Sequence, residues 1–258
     1  MLANERRAMI AEIIRKNGAV TTGELVKRFD VSIETVRRDL LVMEKSQLLQ
    51  RVHGGAVAFG GMLPKQDLAH RTGENDDSKR ELSVTACALV SEGDIIALDS
   101  GSTAVILAQE LRRRFRSLTV VTYSLDVCNL LSDCRGFKLI LCGGYYLPAE
   151  NSFYGQFVID MFSRIQVNRL FLFPSTVSLR YGIRDYFEEL YQVQRAMLGC
   201  SDSIYILADS SKFEKTAMLK LDDMTAKYTY ITDSALRPEL KLLYKENDLR
   251  VITSAEEI

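Results

Sequence analysis

The chain of 258 residues has no tryptophan, four prolines, two histidines and five cysteines, none of them in a Cys-x-x-Cys pair. So few soft ligands argue against a zinc site, and Cys87, Cys128, Cys134, Cys142 and Cys200 read as buried, reduced thiols. No metal and no cofactor is expected. No apolar run approaches the ~20 residues needed to cross a bilayer, and Met1-Leu2-Ala3-Asn4-Glu5-Arg6 does not open a signal peptide. A soluble, cytoplasmic protein with no membrane partner is expected. The chain also lacks internal repeats and low-complexity tracts, so neither a solenoid nor a disordered chain fits. A net charge of −1 shows no overall excess of basic groups, but it hides an asymmetry. Residues 1–56 carry ten Lys and Arg against seven Asp and Glu, a balance of +3, while the remainder carries −4. A mildly basic head on an acidic body suits DNA binding under a separate control domain.

What the head contains is spacing. Residues 4–16 read as a helix that offers Ile10, Ile13 and Ile14 to a small core. Thr21 or Thr22 can cap a second helix, TGELVKRF, in which Leu25 and Phe29 share a face at i and i+4. Asp30 and Val31 make a turn, and Ser32 caps a third helix whose Val36, Leu40 and Met43 form one buried stripe. Glu34 and Arg38 then point away from that stripe, with Thr35 and Arg37 on its flanks. Arginine can address guanine bidentately, and hydroxyl or carboxylate groups read other base edges, so this polarity suits a helix lying in the major groove. A plain three-helix corner with solvated arginines would show the same spacing. The next residues tilt the balance. Leu48 and Leu49 lead into Arg51-Val52-His53-Gly54-Gly55-Ala56, a strand, tight turn and return, with Arg51 and His53 as phosphate donors.

Ser32, Thr35, Val36, Arg37, Arg38, Asp39 and Leu40, followed by Arg51, His53, Gly54, Gly55 and Ala56, resemble the winged helix-turn-helix of the DeoR family of bacterial transcriptional regulators. The glycine usual before the wing strand is Gln47 here. The expected DNA-contacting set is Thr22, Ser32, Glu34, Thr35, Arg37, Arg38, Arg51, His53, Gly54 and Gly55, within a domain spanning 1–58.

Phe59-Gly60-Gly61-Met62-Leu63-Pro64 reads as a linker, continued by a polar stretch to residue 78. From 79 to 258 the pattern alternates. Short apolar strands begin at Ile95, Leu118, Lys138, Leu170, Ile204 and Tyr228, with a last short one at Val251-Ile252. Helices fit at 79–90, 103–114, 125–132, 156–163, 188–200 and 236–246. Continuous apolar strands separated by helices predict an α/β domain with a mostly parallel, Rossmann-like sheet covered on both faces. Ligands in such sheets bind beyond the carboxyl ends of the strands. There the polar residues gather: Asp99-Ser100-Gly101-Ser102-Thr103, Thr122-Tyr123-Ser124, Cys142-Gly143-Gly144 and Asp209-Ser210-Ser211-Lys212. Small hydroxyl residues around a glycine at a helix start can cradle an anion. Taken singly, each is also an ordinary cap or turn.

This half resembles the DeoR sensor domain as well, through those loops, Tyr181-Gly182-Ile183 with Asp185, and Arg195-Ala196-Met197. The resemblance implies a fold similar to sugar-phosphate isomerases and a phosphorylated sugar or related metabolite as effector. The expected effector site is Asp99, Ser100, Gly101, Ser102, Thr103, Tyr123, Ser124, Gly143, Asp185 and Lys212. Tyr123 stands where the family has Asn, and Gln192 and Gln194 replace the usual Glu and Lys, so the pocket walls are altered. The expected function is a DNA-binding regulator, a repressor of carbohydrate genes, that works as a dimer or higher homo-oligomer on double-stranded operator DNA. Two alternatives remain: an isomerase-like enzyme, which lacks an acid after the fourth strand until Asp185, and a regulator whose large domain only assembles subunits.

Overall fold

The computed structural model describes residues 2–17, 19–46, 48–52, 54–58 and 66–258. His53, Gln47 and residues 59–65, and with them the phosphate contact expected of His53 and the first part of the expected 59–78 linker, lie outside the described residues. The head is built from α1 (Ala3–Asn17), β1 (Ala19–Thr21), α2 (Thr22–Phe29), α3 (Ile33–Lys45), β2 (Gln50–Val52) and β3 (Gly55–Val57). Thr21, not Thr22, caps α2, and Glu24 reaches back to complete a capping box. Ser32 caps α3 through the Thr35 N–H. Ile10, Ile14, Leu25, Val36, Leu40 and Met43 close a core of their own. The wing is antiparallel, and β1 adds a third strand in the order β1-β3-β2. A Cβ on Gly55 would stand 2.2 Å from the Val20 carbonyl oxygen, so glycine lets β3 lie against β1.

The body starts with α4 (Leu68–Arg71) and α5 (Asp76–Cys87), so the expected domain start at 79 falls inside a helix. Then come β4 (Ile95–Leu98), α6 (Ser102–Arg114), β5 (Leu118–Thr122), α7 (Leu125–Leu131), β6 (Phe137–Leu141), β7 (Tyr145–Leu147), β8 (Ser152–Tyr154), α8 (Gln156–Phe162) and β9 (Arg169–Leu172). The second half holds β10 (Thr176–Ser178), β11 (Gly182–Asp185), α9 (Glu188–Met197), β12 (Ile204–Leu207), β13 (Leu219–Asp222), β14 (Tyr228–Ile231), α10 (Pro238–Glu246) and β15 (Arg250–Ile252). Seven strands form one all-parallel sheet in the order β15-β14-β12-β9-β4-β5-β6. Two buried apolar clusters cover its faces, one around Leu170, Ile206 and Tyr230, the other around Ile96, Leu107 and Phe171.

Every strand expected of that sheet is present. The hairpin β7-β8 and the antiparallel sheet β10-β11-β13 were not expected. Their three- and four-residue strands are too short to show an alternation. The chain moves outward from β4 through β5 to β6, then returns to place β9 on the other side of β4. That reversal makes β4/β9 the topological switch point, where a parallel sheet opens a crevice. Among the described residues no helix is long and apolar enough to cross a membrane.

Candidate functional site

The head presents Ile33, Glu34, Arg37 and Arg38 as exposed residues on the first two turns of α3, with Thr35 half-buried. Arg37 and Glu34 lie 4.0 Å apart, both largely solvated, so the pair holds neither side chain firmly. Ser32 is committed to the cap and to Thr35 Oγ1 at 2.9 Å. Arg51 on the wing is tied to Glu44, which accepts its backbone N–H at 3.0 Å. Gly54 is exposed at φ +82° and lies beside α10, where a Cβ would stand 3.5 Å from Glu246 Oε2, whereas Gly55 is buried in the wing against β1. One buried network fixes the helix itself. Asp39 sits on the hidden face of α3 and receives Arg6 at 2.5 Å and Arg7 at 2.8 Å from α1.

In the body, Asp99 follows β4 and is fully buried. Its Oδ1 accepts the Ser100 N–H at 2.8 Å and the Tyr123 hydroxyl; its Oδ2 accepts the Phe173 N–H at 3.0 Å and the Gln194 amide at 3.3 Å. Burial pushes Asp99 up to about 6, although those hydrogen bonds pull the other way. The Gln194 amide also reaches Asp185 at 3.0 Å, and Asp185 accepts Ser175 Oγ at 2.8 Å. Tyr123, which stands where the family pattern has Asn, joins this network through Ser100 Oγ and Asp99.

Beside that network, which reaches it through Ser175, lies a cavity of about 310 Å³. Ser102, Ser175, Asp209, Ser211 and Lys212 line it, together with Arg71 at the end of α4, Asn75 before α5 and Lys79 in α5. Three cations from three elements thus converge at the switch point. Arg71 is hydrogen-bonded to Glu150, which burial lifts to about 7 against the pull of that arginine. Lys79 is buried and donates to the carbonyls of Arg71, at 2.6 Å, and Glu74. Burial lowers the pKa of both Lys79 and Lys212, and Asp209 partly restores them. A bound anion would favour the charged form of each. Gly101 at φ +115° starts α6, and a Cβ there would meet Arg71 Nη1 at 3.4 Å.

Of the expected effector residues, Ser102 and Lys212 line the cavity, whereas Asp99, Ser100, Tyr123 and Asp185 belong to the buried hydrogen-bond network and Gly101 caps α6; none of these five is among the described residues lining it. Thr103 is buried in the first turn of α6. Ser124 is spent on capping α7, and Gly143 is exposed after β6; neither is among the described residues lining the cavity. Arg71, Lys79 and Ser175 were missed, and Gln194 was noted only as a departure from the family pattern. Arg71 and Lys79 lay in or beside a stretch read as polar linker, and only tertiary contact shows that they turn inward.

The chain matches the DeoR-like helix-turn-helix domain over residues 6–59 and the DeoR C terminal sensor domain over residues 74–234. The Streptococcus mutans lactose phosphotransferase system repressor is 31% identical over 256 residues, covering 96% of this chain and 99% of that one. The Haemophilus influenzae L-fucose operon activator is 30% identical over 249 residues, with 96% and 99% covered. The Agrobacterium fabrum transcriptional repressor AccR is 30% identical over 234 residues, covering 90% of each. A ribose 5-phosphate isomerase A from Methanocaldococcus jannaschii aligns over 55% of this chain and 56% of its own, at 21% identity and a TM-score of 0.41, too low to bear on function. With head and sensor both matched, and relatives aligned over nearly their whole length, the chain belongs to the DeoR family of transcriptional regulators.

Proposed function

We propose that this regulator is a cytoplasmic repressor of carbohydrate genes, and that a phosphorylated sugar or related metabolite in the β4/β9 cavity controls its grip on operator DNA. One observation carries the reading: Arg71, Lys79 and Lys212 line a single cavity beside Ser102, at the start of α6. The anionic group sits among those cations, and the remainder of the metabolite lies toward Ser175 and Asp185. Names among the relatives, an L-fucose operon activator and lactose phosphotransferase system repressors, support carbohydrate genes as the target. Repression is the direction assigned here, and reporter transcription with and without the protein checks it. The head's small basic excess supports a dimer or higher assembly that places two heads on successive half-sites.

The isomerase reading is not favoured. A carboxylate base needs a lone pair aimed at substrate, and a carboxylate has about four. Asp99 already accepts from Ser100, Tyr123, Phe173 and Gln194.

A thermal-shift screen of sugar and polyol phosphates tests the proposal. A ligand at 100 times its Kd stabilises the folded state by ~2.7 kcal/mol. Lys212→Ala, which removes a charge, and Gly101→Val, which crowds Arg71, should abolish the shift and leave operator binding intact. A shift undiminished in both variants would place the ligand elsewhere.

A further inference from the structure

Glu214 is a buried carboxylate that appears in none of the described ion pairs, and its backbone is left-handed at φ +53°. Both features are disfavoured, and a non-glycine residue keeps such a backbone only where its surroundings over-determine it. Here they do. Oε1 accepts the Leu179 N–H at 3.1 Å and the Tyr244 hydroxyl at 2.8 Å, while Oε2 accepts Ser178 Oγ at 3.0 Å. Its own N–H donates to the Val177 carbonyl at 2.8 Å.

Those partners belong to the two elements that hold the head. Beyond Leu179, Arg180 Nη1 donates to Glu44 Oε1 of α3 at 3.2 Å, and the same oxygen takes the Arg51 N–H of the wing. Leu179 and Arg180 face Arg37 and Arg51 across a cleft of about 860 Å³. Tyr244 lies on α10, whose Leu243 packs on Gly55, and both share a core with Ala19 and Val57 of the head. On the other side, Glu214 stands two residues from Lys212 of the effector cavity. The intervening Phe213 packs on the Tyr244 ring at 5.7 Å.

We infer that Glu214 is a positioning residue that couples the two sites: a shift of the Lys212 segment toward a bound anion is passed by Glu214 to the 178–180 loop and to α10, and so to the head. This rests on the metabolite-controlled reading above. It names a contiguous chain of contacts, each of which can be cut.

Glu214→Gly relieves the left-handed backbone and removes three bonds at once, so loss of coupling need not mean loss of fold. Glu214→Gln keeps an acceptor for Leu179 and Tyr244. The experiment uses full-length protein, a duplex that the wild type selects from a random-sequence pool, and inorganic phosphate plus a sugar-phosphate panel as probes. Wild type should show an operator Kd that changes about 5-fold or more on adding the active probe. In E214G that ratio should fall to within about 2-fold of unity, with probe affinity and melting temperature near wild type, and E214Q should restore it. A wild-type ratio in E214G, or a ratio lost only together with probe binding, overturns the inference. A wild type that ignores every probe sinks the metabolite reading instead. A ligand-free arm then decides: amide exchange across 19–21 and 55–57 should quicken about tenfold in E214G while the seven-stranded sheet stays protected, and unchanged exchange overturns Glu214's part.

Discussion

Asp39 in the head and Asp99 in the body are both buried, and their surroundings differ in kind. Asp39 is met by two arginines. Asp99 is met by two backbone amides, a hydroxyl and an amide side chain, and among the described residues it forms no ion pair. A buried charge that is paired from two sides holds a helix in place. One that is merely hydrogen-bonded has its pKa raised by burial, here to about 6. The head thus holds its buried charge between two cations, and the body holds its own by hydrogen bonds.

Breaking the head's side of this contrast should have the largest effect. Asp39→Ala leaves Arg6 buried without its partner, which should destabilise the head by ~3–5 kcal/mol. Hydrogen exchange would show fast amides in α1 and α3 beside a protected parallel sheet; uniform loss across both domains would refute the separation. The body's side is sharpened by pH. Because Asp99 is raised from 3.8 to about 6, its protonated form is favoured by folding, so the stability it gives is complete below pH ~4 and lost as pH rises through 6. A shift of about two units corresponds to ~3 kcal/mol at most. Urea denaturation from pH 4 to 7.5 should show that slope in wild type and a flatter one in Asp99→Asn. The same slope in both would mean that Asp99 is charged at low cost. Smaller still is Arg38→Ala, which touches an exposed arginine with no ion-pair partner among the described residues. It should leave stability unchanged and cost ~1–3 kcal/mol in operator affinity. Full affinity in a folded variant would remove Arg38 from the DNA-contacting set.

The contrast also explains what was legible in the sequence. Thr21, Ser32 and the Val36-Leu40-Met43 stripe act within one or two helical turns, so spacing alone places them. The parallel strands were legible because each carries an apolar run, largely buried in β4, β5, β9, β12 and β14 and only partly so in the edge strands β6 and β15. The crevice was half-legible. Asp99 to Ser102 and Lys212 announce themselves as polar ends of strands. Arg71 comes from a stretch with no periodicity and Lys79 from the polar start of a helix, and their inward direction depends on Glu150 and on carbonyls reached only after folding. Gln194 showed as a departure from the family pattern. Its task, bridging Asp99 and Asp185, needed α9 to be docked on the sheet. Gly55 was read as part of a DNA-facing turn, yet its tightest contact is with β1 behind the wing.

The central claim is that one small anion in the β4/β9 cavity and one operator at the head bias the same equilibrium. Linkage makes it directly measurable, because the factor by which metabolite alters operator affinity must equal the factor by which operator alters metabolite affinity. Calorimetric titration of the best thermal-shift ligand into protein alone, and into protein saturated with operator, should give Kd values differing by about 5-fold or more. Lys212→Ala should bind that ligand in neither case. Equal Kd values with and without operator would contradict the account and leave the large domain as a binding module that does not speak to the head.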